Sequence, residues 1–146
     1  MKLIISTQLS QLDEIVAIEN ASFEKPWSHS QIKDDIQANI DSENWVFIKD
    51  GKVAGYIFGW IIQNEFHLHN IAVHPDHLRK TIGKKLIQHI ITRVADQKVN
   101  VILLEVSVNN FSARKCYHSL GFVQTGIRKD YYSKGDDAIL YNLEIN

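Results

Sequence analysis

Apolar residues recur at Ile82, Leu86, Ile90 and Val94, and Ile87 and Ile91 broaden the same stripe. This 3.6-residue period predicts a helix that opens at Ile82 and buries one face. The next apolar run, residues 99–106, is continuous, as in a strand covered on both faces. Upstream, residues 45–49 and 53–62 flank Asp50-Gly51, a pair that favours a two-residue hairpin turn, and residues 66–73 form a third strand ending at Pro75. Residues 2–6 read as a short strand, and Thr7 as the cap of a helix in which Leu9, Leu12, Ile15 and Val16 share a face. Pro26-Trp27-Ser28 breaks the chain, and Ser28 caps a second helix carrying Ile32, Ile36 and Ile40 at i+4 spacing. Further on, Asn110 stands at a cap position, Ala113, Cys116, Tyr117 and Leu120 follow on one face, and Gly121 ends that helix. Residues 122–132 and 138–145 are two last strands, with Lys134-Gly135 in the turn. The order β-α-α-β-β-β-α-β-α-β-β predicts a mixed sheet of the α/β (α+β) class. A helical crossover, right-handed by default, joins the strands on either side of the 82–94 helix.

Composition narrows the class. The chain has 146 residues, 45% hydrophobic and 23% charged, which fits one ordinary domain over 1–146 and excludes disordered or fibrous classes. No long period repeats, and Pro26 and Pro75 sit at corners and not in a linker. Sixteen bases against 17 acids leave a net charge of −1, which speaks against a polyanionic partner such as nucleic acid. The charge is unevenly spread: residues 1–50 hold nine acids and four bases, residues 51–146 eight acids and 12 bases. An anionic small ligand is drawn to the second part, a cationic one to the first. Cys116 is the only cysteine, so no intrachain disulfide forms, and on an apolar helix face it reads as packing. The longest apolar stretch, residues 56–62, is too short for a membrane span, and MKLIISTQLS turns polar too early for a signal peptide. These features lead us to expect a soluble, cytoplasmic protein.

The chemistry concentrates in a few places. Arg79-Lys80-Thr81-Ile82-Gly83-Lys84-Lys85 puts four cations in seven residues at the start of the 82–94 helix, where free N–H groups and the positive end of the helix dipole favour a phosphate. A solvated basic turn is the simpler reading. Gly83 tips the balance, because a glycine inside a helix costs about 1 kcal/mol and suits a ligand that must approach the backbone. Neither GxxxxGK nor GxGxxG is present, so a nucleoside triphosphate is not expected. Glu105 interrupts an apolar strand at its end: either an exposed strand-end acid or, if desolvated, a carboxyl of raised pKa able to take a proton from an amine. Tyr117 is either core or a hydroxyl that donates a proton, and Asn110 either a helix cap or a ligand contact, or both. His67 with His69 and His74 with His77 invite a metal, but without HExxH or a cysteine cluster no metal site is expected.

The basic loop resembles the acetyl-coenzyme A site of the GNAT superfamily of N-acetyltransferases. There a strand is followed by Arg or Gln, two residues, Gly, one residue, and Gly or Ala, leading into a helix. Leu78 or Arg79 opens the loop here, Thr81 stands where the first glycine is usual, and Gly83 supplies the second. A β-branched residue resists positive φ, so the loop should either sit tighter on the pyrophosphate or bind it less well. Asn70-Ile71-Ala72-Val73-His74-Pro75, Leu104-Glu105-Val106, residues 110–117, Leu120-Gly121-Phe122, Arg128-Lys129-Asp130-Tyr131-Tyr132 and Asp137-Ala138 are together similar to the bacterial RimI group of that superfamily. Residues 23–28, ending Pro-Trp-Ser, resemble its N-terminal marker.

That resemblance implies a GNAT-like mixed sheet of about seven strands and about four helices, acetyl-coenzyme A as cosubstrate, and no metal. It implies direct acetylation of a protein α-amine, the N-terminal alanine of small-subunit ribosomal protein eighteen, with no nucleic-acid or membrane partner. Glu105 would be the base and Tyr117 the acid. The backbone of Ile71, Ala72 and Val73 would polarise the thioester carbonyl. Arg79, Lys80, Thr81, Ile82, Gly83, Lys84 and Asn110 would hold the cofactor, and Glu24, Trp27, Tyr131 and Tyr132 the acceptor. An acetyltransferase of a small amine or lysine side chain, and a non-catalytic acyl-coenzyme A sensor, stay open as alternatives.

Overall fold

The computed structural model describes residues 3–38, 40–78 and 81–145. Seven strands form one sheet in the order β1-β2-β3-β4-β5-β7-β6. They are β1 (Ile4–Ser6), β2 (Ser42–Lys49), β3 (Lys52–Ile62), β4 (Glu65–Val73), β5 (Val101–Ser107), β6 (Val123–Ser133) and β7 (Asp136–Glu144). Among the described residues there are four α-helices, α1 (Leu12–Ser22), α2 (His29–Gln37), α3 (Ile82–Ala95) and α4 (Phe111–Ser119). Every pairing is antiparallel except β4 with β5, which α3 joins as a crossover. No helix among the described residues is long and apolar enough to cross a membrane.

The helices cover the sheet from both sides because β2 and β3 alternate. Phe47 and Ile57 face α3, whose Ile82, Leu86, Ile87, Ile90 and Val94 are buried as the period predicts. Val46, Tyr56 and Phe58 face Leu12, Ile15 and Ile18 of α1 and Ile32 of α2. The Asp50-Gly51 turn has φ of 53° and 77°, as a two-residue hairpin with this sequence requires.

Three expectations are corrected. Thr7 does not cap a helix: its N–H extends the β1 edge by donating to Asn44 O at 3.0 Å. The helix starts through a 3-10 turn, Leu9–Gln11, where Gln11 Oε1 accepts the Gln8 N–H at 2.8 Å. Ser28 does cap α2, its Oγ accepting from Gln31 N at 3.1 Å, but the helix ends at Gln37 and leaves Ile40 95% exposed. The chain turns there because buried Asp35 draws in β2 and β3, taking hydrogen bonds from Asn44 Nδ2 (2.8 Å) and Trp60 Nε1 (2.6 Å). Third, β5 is fully covered on one face only. Ile102, Leu104 and Val106 are buried, while Val101, Leu103 and Glu105 on the other face are half-buried.

Candidate active site

The sheet opens where β4 meets β5. Only Glu65, Phe66 and His67 pair with β5, opposite Val101, Ile102 and Leu103, and beyond them the strands part. A bulge in β4 sits at the same level: Gly59 pairs with Leu68 and Phe58 with Asn70, which leaves His69 as the extra residue. From Leu68 onward the β4 edge facing β5 carries backbone groups without a partner strand. Two cavities occupy this wedge.

One cavity, about 420 Å³, is lined by Glu19, Glu24 and Trp27 from the α1–α2 region, Glu105 of β5, and Tyr132 and Asp136 of the last hairpin. Of its carboxylates, Glu105 keeps 31% of its side chain exposed and its Oε1 lies 3.5 Å from Arg128 Nη2. The carboxyl therefore faces a cation and some water, where the sequence suggested enclosure as the alternative to an exposed acid. Tyr132 reaches the cavity through a wide irregularity of β6 between Arg128 and Ser133, and its hydroxyl is pushed up to about 12 by burial, with the charge of Glu105 adding to it. Tyr131, in the same irregularity, stacks edge-on against Tyr132 and lies outside the cavity lining. Both tyrosines belong to β6.

The other cavity is a groove of about 650 Å³ between β4, the start of α3, and α4. Ile71, Ala72, Val73, Thr81, Ile82, Gly83, Lys84 and Asn110 all line it. Arg79 and Lys80 fall outside the described residues. Lys85 N donates to Thr81 O at 3.0 Å as the first helical bond of α3, so the N–H groups of Ile82, Gly83 and Lys84 point to whatever fills the groove. A Cβ built on Gly83 meets only Val73 Cγ2, at 3.8 Å, and would project into that space. An anionic, elongated ligand such as acetyl-coenzyme A fits this lining: three orphan donors, a helix N-terminus, Lys84 and Lys115, and an unpaired strand edge.

The two cavities share Ile71, Asn110 and Tyr117. Asn110 caps α4, its Oδ1 accepting from Ala113 N at 3.1 Å. Tyr117 is 3% exposed and packs on Phe122 and Tyr141, so it is core and site lining at once. Its hydroxyl makes no hydrogen bond among the described residues, and burial holds it well above the ordinary tyrosine range. It is therefore a protonated O–H at any neutral pH.

Sequence reasoning gave two of the first cavity's lining residues no place in a substrate site, weighing His69 only as a metal ligand. Glu19 is buried and His69 half-buried; burial and neighbouring His67 hold the His69 imidazole below the usual histidine range, against the pull of Asp35 and Glu105. The signal for Glu19 was present: it follows Ile15 by four positions on the apolar face of α1. Two of the other histidines are engaged locally. His67 Nε2 lies 3.0 Å from Glu65 Oε1, and His74 Nδ1 accepts the Asp76 N–H. Among the described residues no three His, Cys, Asp or Glu side chains form a metal-sized group.

Comparison with known proteins gives a consistent picture. The family model described as "Acetyltransferase (GNAT) family" matches residues 12–122. The [ribosomal protein bS18]-alanine N-acetyltransferase of Escherichia coli (strain K12) is 32% identical over 152 aligned positions, covering 100% of this chain and 99% of that protein. The crystal structure of the ribosomal-protein-S18-alanine N-acetyltransferase from Escherichia coli superposes with a TM-score of 0.92 at 30% identity, covering 100% of this chain and 95% of that one. Ard1 from Thermoplasma volcanium, 22% identical with a TM-score of 0.90 over 98% of this chain and 97% of its own, shares the fold.

Proposed function

The chain belongs to the acetyltransferase (GNAT) family, and from that premise we propose that it moves an acetyl group from acetyl-coenzyme A directly to a protein α-amine, the N-terminal alanine of ribosomal protein bS18. The observation that carries this reading is the junction of an acid-lined cavity and a phosphate-ready groove at Ile71, Asn110 and Tyr117. Two substrates approaching from opposite sides meet there and nowhere else in the wedge.

Acetyl-coenzyme A brings an acetyl group activated as a thioester. The unpaired edge of β4 at Ile71 to Val73 supplies N–H donors for the carbonyl oxygen, a fixed dipole array that needs no side chain. The groove's cationic end, Ile82 to Lys84 with Lys115, anchors the phosphates. Glu24, Glu105 and Asp136 favour a cationic amine in the acceptor cavity, and Glu105 takes its proton, directly or through water. Tyr117 returns a proton to the departing sulfur. Cys116 is half-buried in the groove and burial raises its thiol above the usual range, which suits packing and not covalent catalysis. Action in the cytoplasm fits this acceptor and the single free thiol.

Mass spectrometry of two peptides tests the reading. One begins with a free alanine, and the other is the same peptide blocked at its N-terminus and carrying a lysine. An α-amine has a pKa of about 7.7–8.0 against about 10.4 for lysine, so one modest base suffices for the first alone. The free peptide should be acetylated, with kcat lowered about 10²-fold by Glu105→Gln or Tyr117→Phe while acetyl-coenzyme A affinity holds. Comparable acetylation of both peptides rejects an α-amine acceptor, and near-wild-type turnover in both variants rejects the two assigned roles.

A further inference from the structure

Glu19, on the inner face of α1, takes no part in the steps above, yet it is 1% exposed and lines the acceptor cavity. Its carboxylate receives donors from three separate segments. Oε1 accepts from the Tyr56 hydroxyl of β3 and from Asn70 Nδ2 of β4 at 2.7 Å, and Oε2 accepts the Trp27 backbone N–H at 2.8 Å. No Lys, Arg or His forms an ion pair with it among the described residues. Keeping an unneutralised carboxylate inside a fold is costly, and a well-packed apolar side chain would serve α1 better. The helix has Leu12, Ile15 and Ile18 for its core contacts already.

What the carboxylate holds gives the cost a purpose. Trp27 and Glu24 are acceptor walls. Asn70 follows the bulged His69 and directly precedes Ile71 to Val73, the strand edge presented to the acetyl group. One side chain thus clamps the acceptor wall to the donor strand. We propose that Glu19 is a positioning residue for the acceptor, fixing the 23–27 segment against β4 so that the incoming amine is aimed at the junction of the two cavities. The proposal rests on reading that cavity as the acceptor site.

Glu19→Gln keeps the size and removes one acceptor. An amide has a single carbonyl oxygen, and with Tyr56 and Asn70 both donating to it, its NH2 is turned against the Trp27 N–H. The clamp on the wall opens while the contacts to the sheet persist. The expected result is a KM for the acceptor peptide raised about tenfold or more, with kcat within about threefold and acetyl-coenzyme A affinity within about twofold of wild type. Amide hydrogen exchange at Trp27 should accelerate while the β3 and β4 amides stay protected. Asn70→Ala, which loosens the clamp from the strand side, should raise KM by a smaller factor and carries the test if the Gln variant does not fold. Ile15→Val, a core truncation on the same helix, should lower Tm and leave KM alone.

An unchanged KM in folded Glu19→Gln, or a KM rise matched by Ile15→Val, overturns the proposal. So does equal loss of kcat and acetyl-coenzyme A affinity. If the wild-type protein acetylates lysine or a small amine and not the α-amine, the function proposed above fails, and the KM for that amine is then the quantity read. If no amine is acetylated, unaltered Trp27 exchange in Glu19→Gln overturns the clamp by itself.

Discussion

Thr81 shows how far a single residue can be held from its preferred backbone. Its φ of 63° and ψ of 11° lie in the left-handed region, directly before the first turn of α3. An L-residue there costs about 1–2 kcal/mol, and a β-branched one resists most. Glycine meets the same geometry without a Cβ, though it gives back about 0.5–1 kcal/mol in backbone freedom. Thr81→Gly should therefore raise stability by about 0.5–1 kcal/mol, read as a higher denaturant midpoint at unchanged slope. Titration calorimetry should show acetyl-coenzyme A bound at least as tightly. A lower midpoint, or weaker binding, would mean that the threonine side chain contributes more than its strain removes. The positive φ that a β-branched residue resists is thus present at Thr81, and the calorimetric result decides between the tighter and the weaker pyrophosphate binding that the sequence left open.

At the scale of elements, the wedge depends on how β3 and β4 meet at the bulge. A Cβ on Gly59 would fall 2.1 Å from Phe66 Cζ and 2.7 Å from the His67 carbonyl oxygen. Phe66 is fully buried and the carbonyl belongs to the ladder, so neither can give way. Gly59→Ala should cost about 1–3 kcal/mol and lower Tm by several degrees, since overpacking forces the ring or the strand to shift. A Tm within one degree of wild type would show that the bulge is softer than its packing indicates. The run of elements was readable because each rests on local periodicity or turn chemistry: the α3 stripe, the Asp50-Gly51 turn, the Ser28 and Asn110 caps. Positions set by distant partners were not readable. Ile40 continues an i+4 spacing but escapes burial because Asp35 gathers Asn44 and Trp60 from other strands. Most of the proposed site could be named from motifs, and the structure gathers those residues into two adjoining cavities. Glu19 could not be assigned a role, since its partners Tyr56 and Asn70 lie 37 and 51 positions away.

Across the whole molecule, charge is sorted between the two faces of one wedge, with Glu105 and Asp136 reaching the acidic face from the part of the sequence that is basic in total. The cavity proposed for the acceptor sets Glu19, Glu24, Glu105 and Asp136 against Lys25, while the groove carries Lys84 and Lys115. The solvent-facing charges among these, Glu19 being buried, are screened over about 10 Å at 0.1 M salt, and over about 3 Å at 1 M. Raising salt from about 0.02 M to about 0.5 M should weaken acetyl-coenzyme A binding and raise the KM of a basic peptide, each roughly three- to tenfold. Indifference of either constant to salt would show that the charges on its face are not used. The parted strands also bear on how this protein tolerates mutation. An edge of β4 that offers only main-chain groups recognises a ligand through atoms common to every residue but proline. The side chains of Ile71, Ala72 and Val73 are thereby free to serve the two cores, Ala72 on the α1 side and its neighbours on the α3 side. Substitution at these positions is limited by packing and by the groove they line, while the main-chain donors proposed to bind persist in any residue but proline.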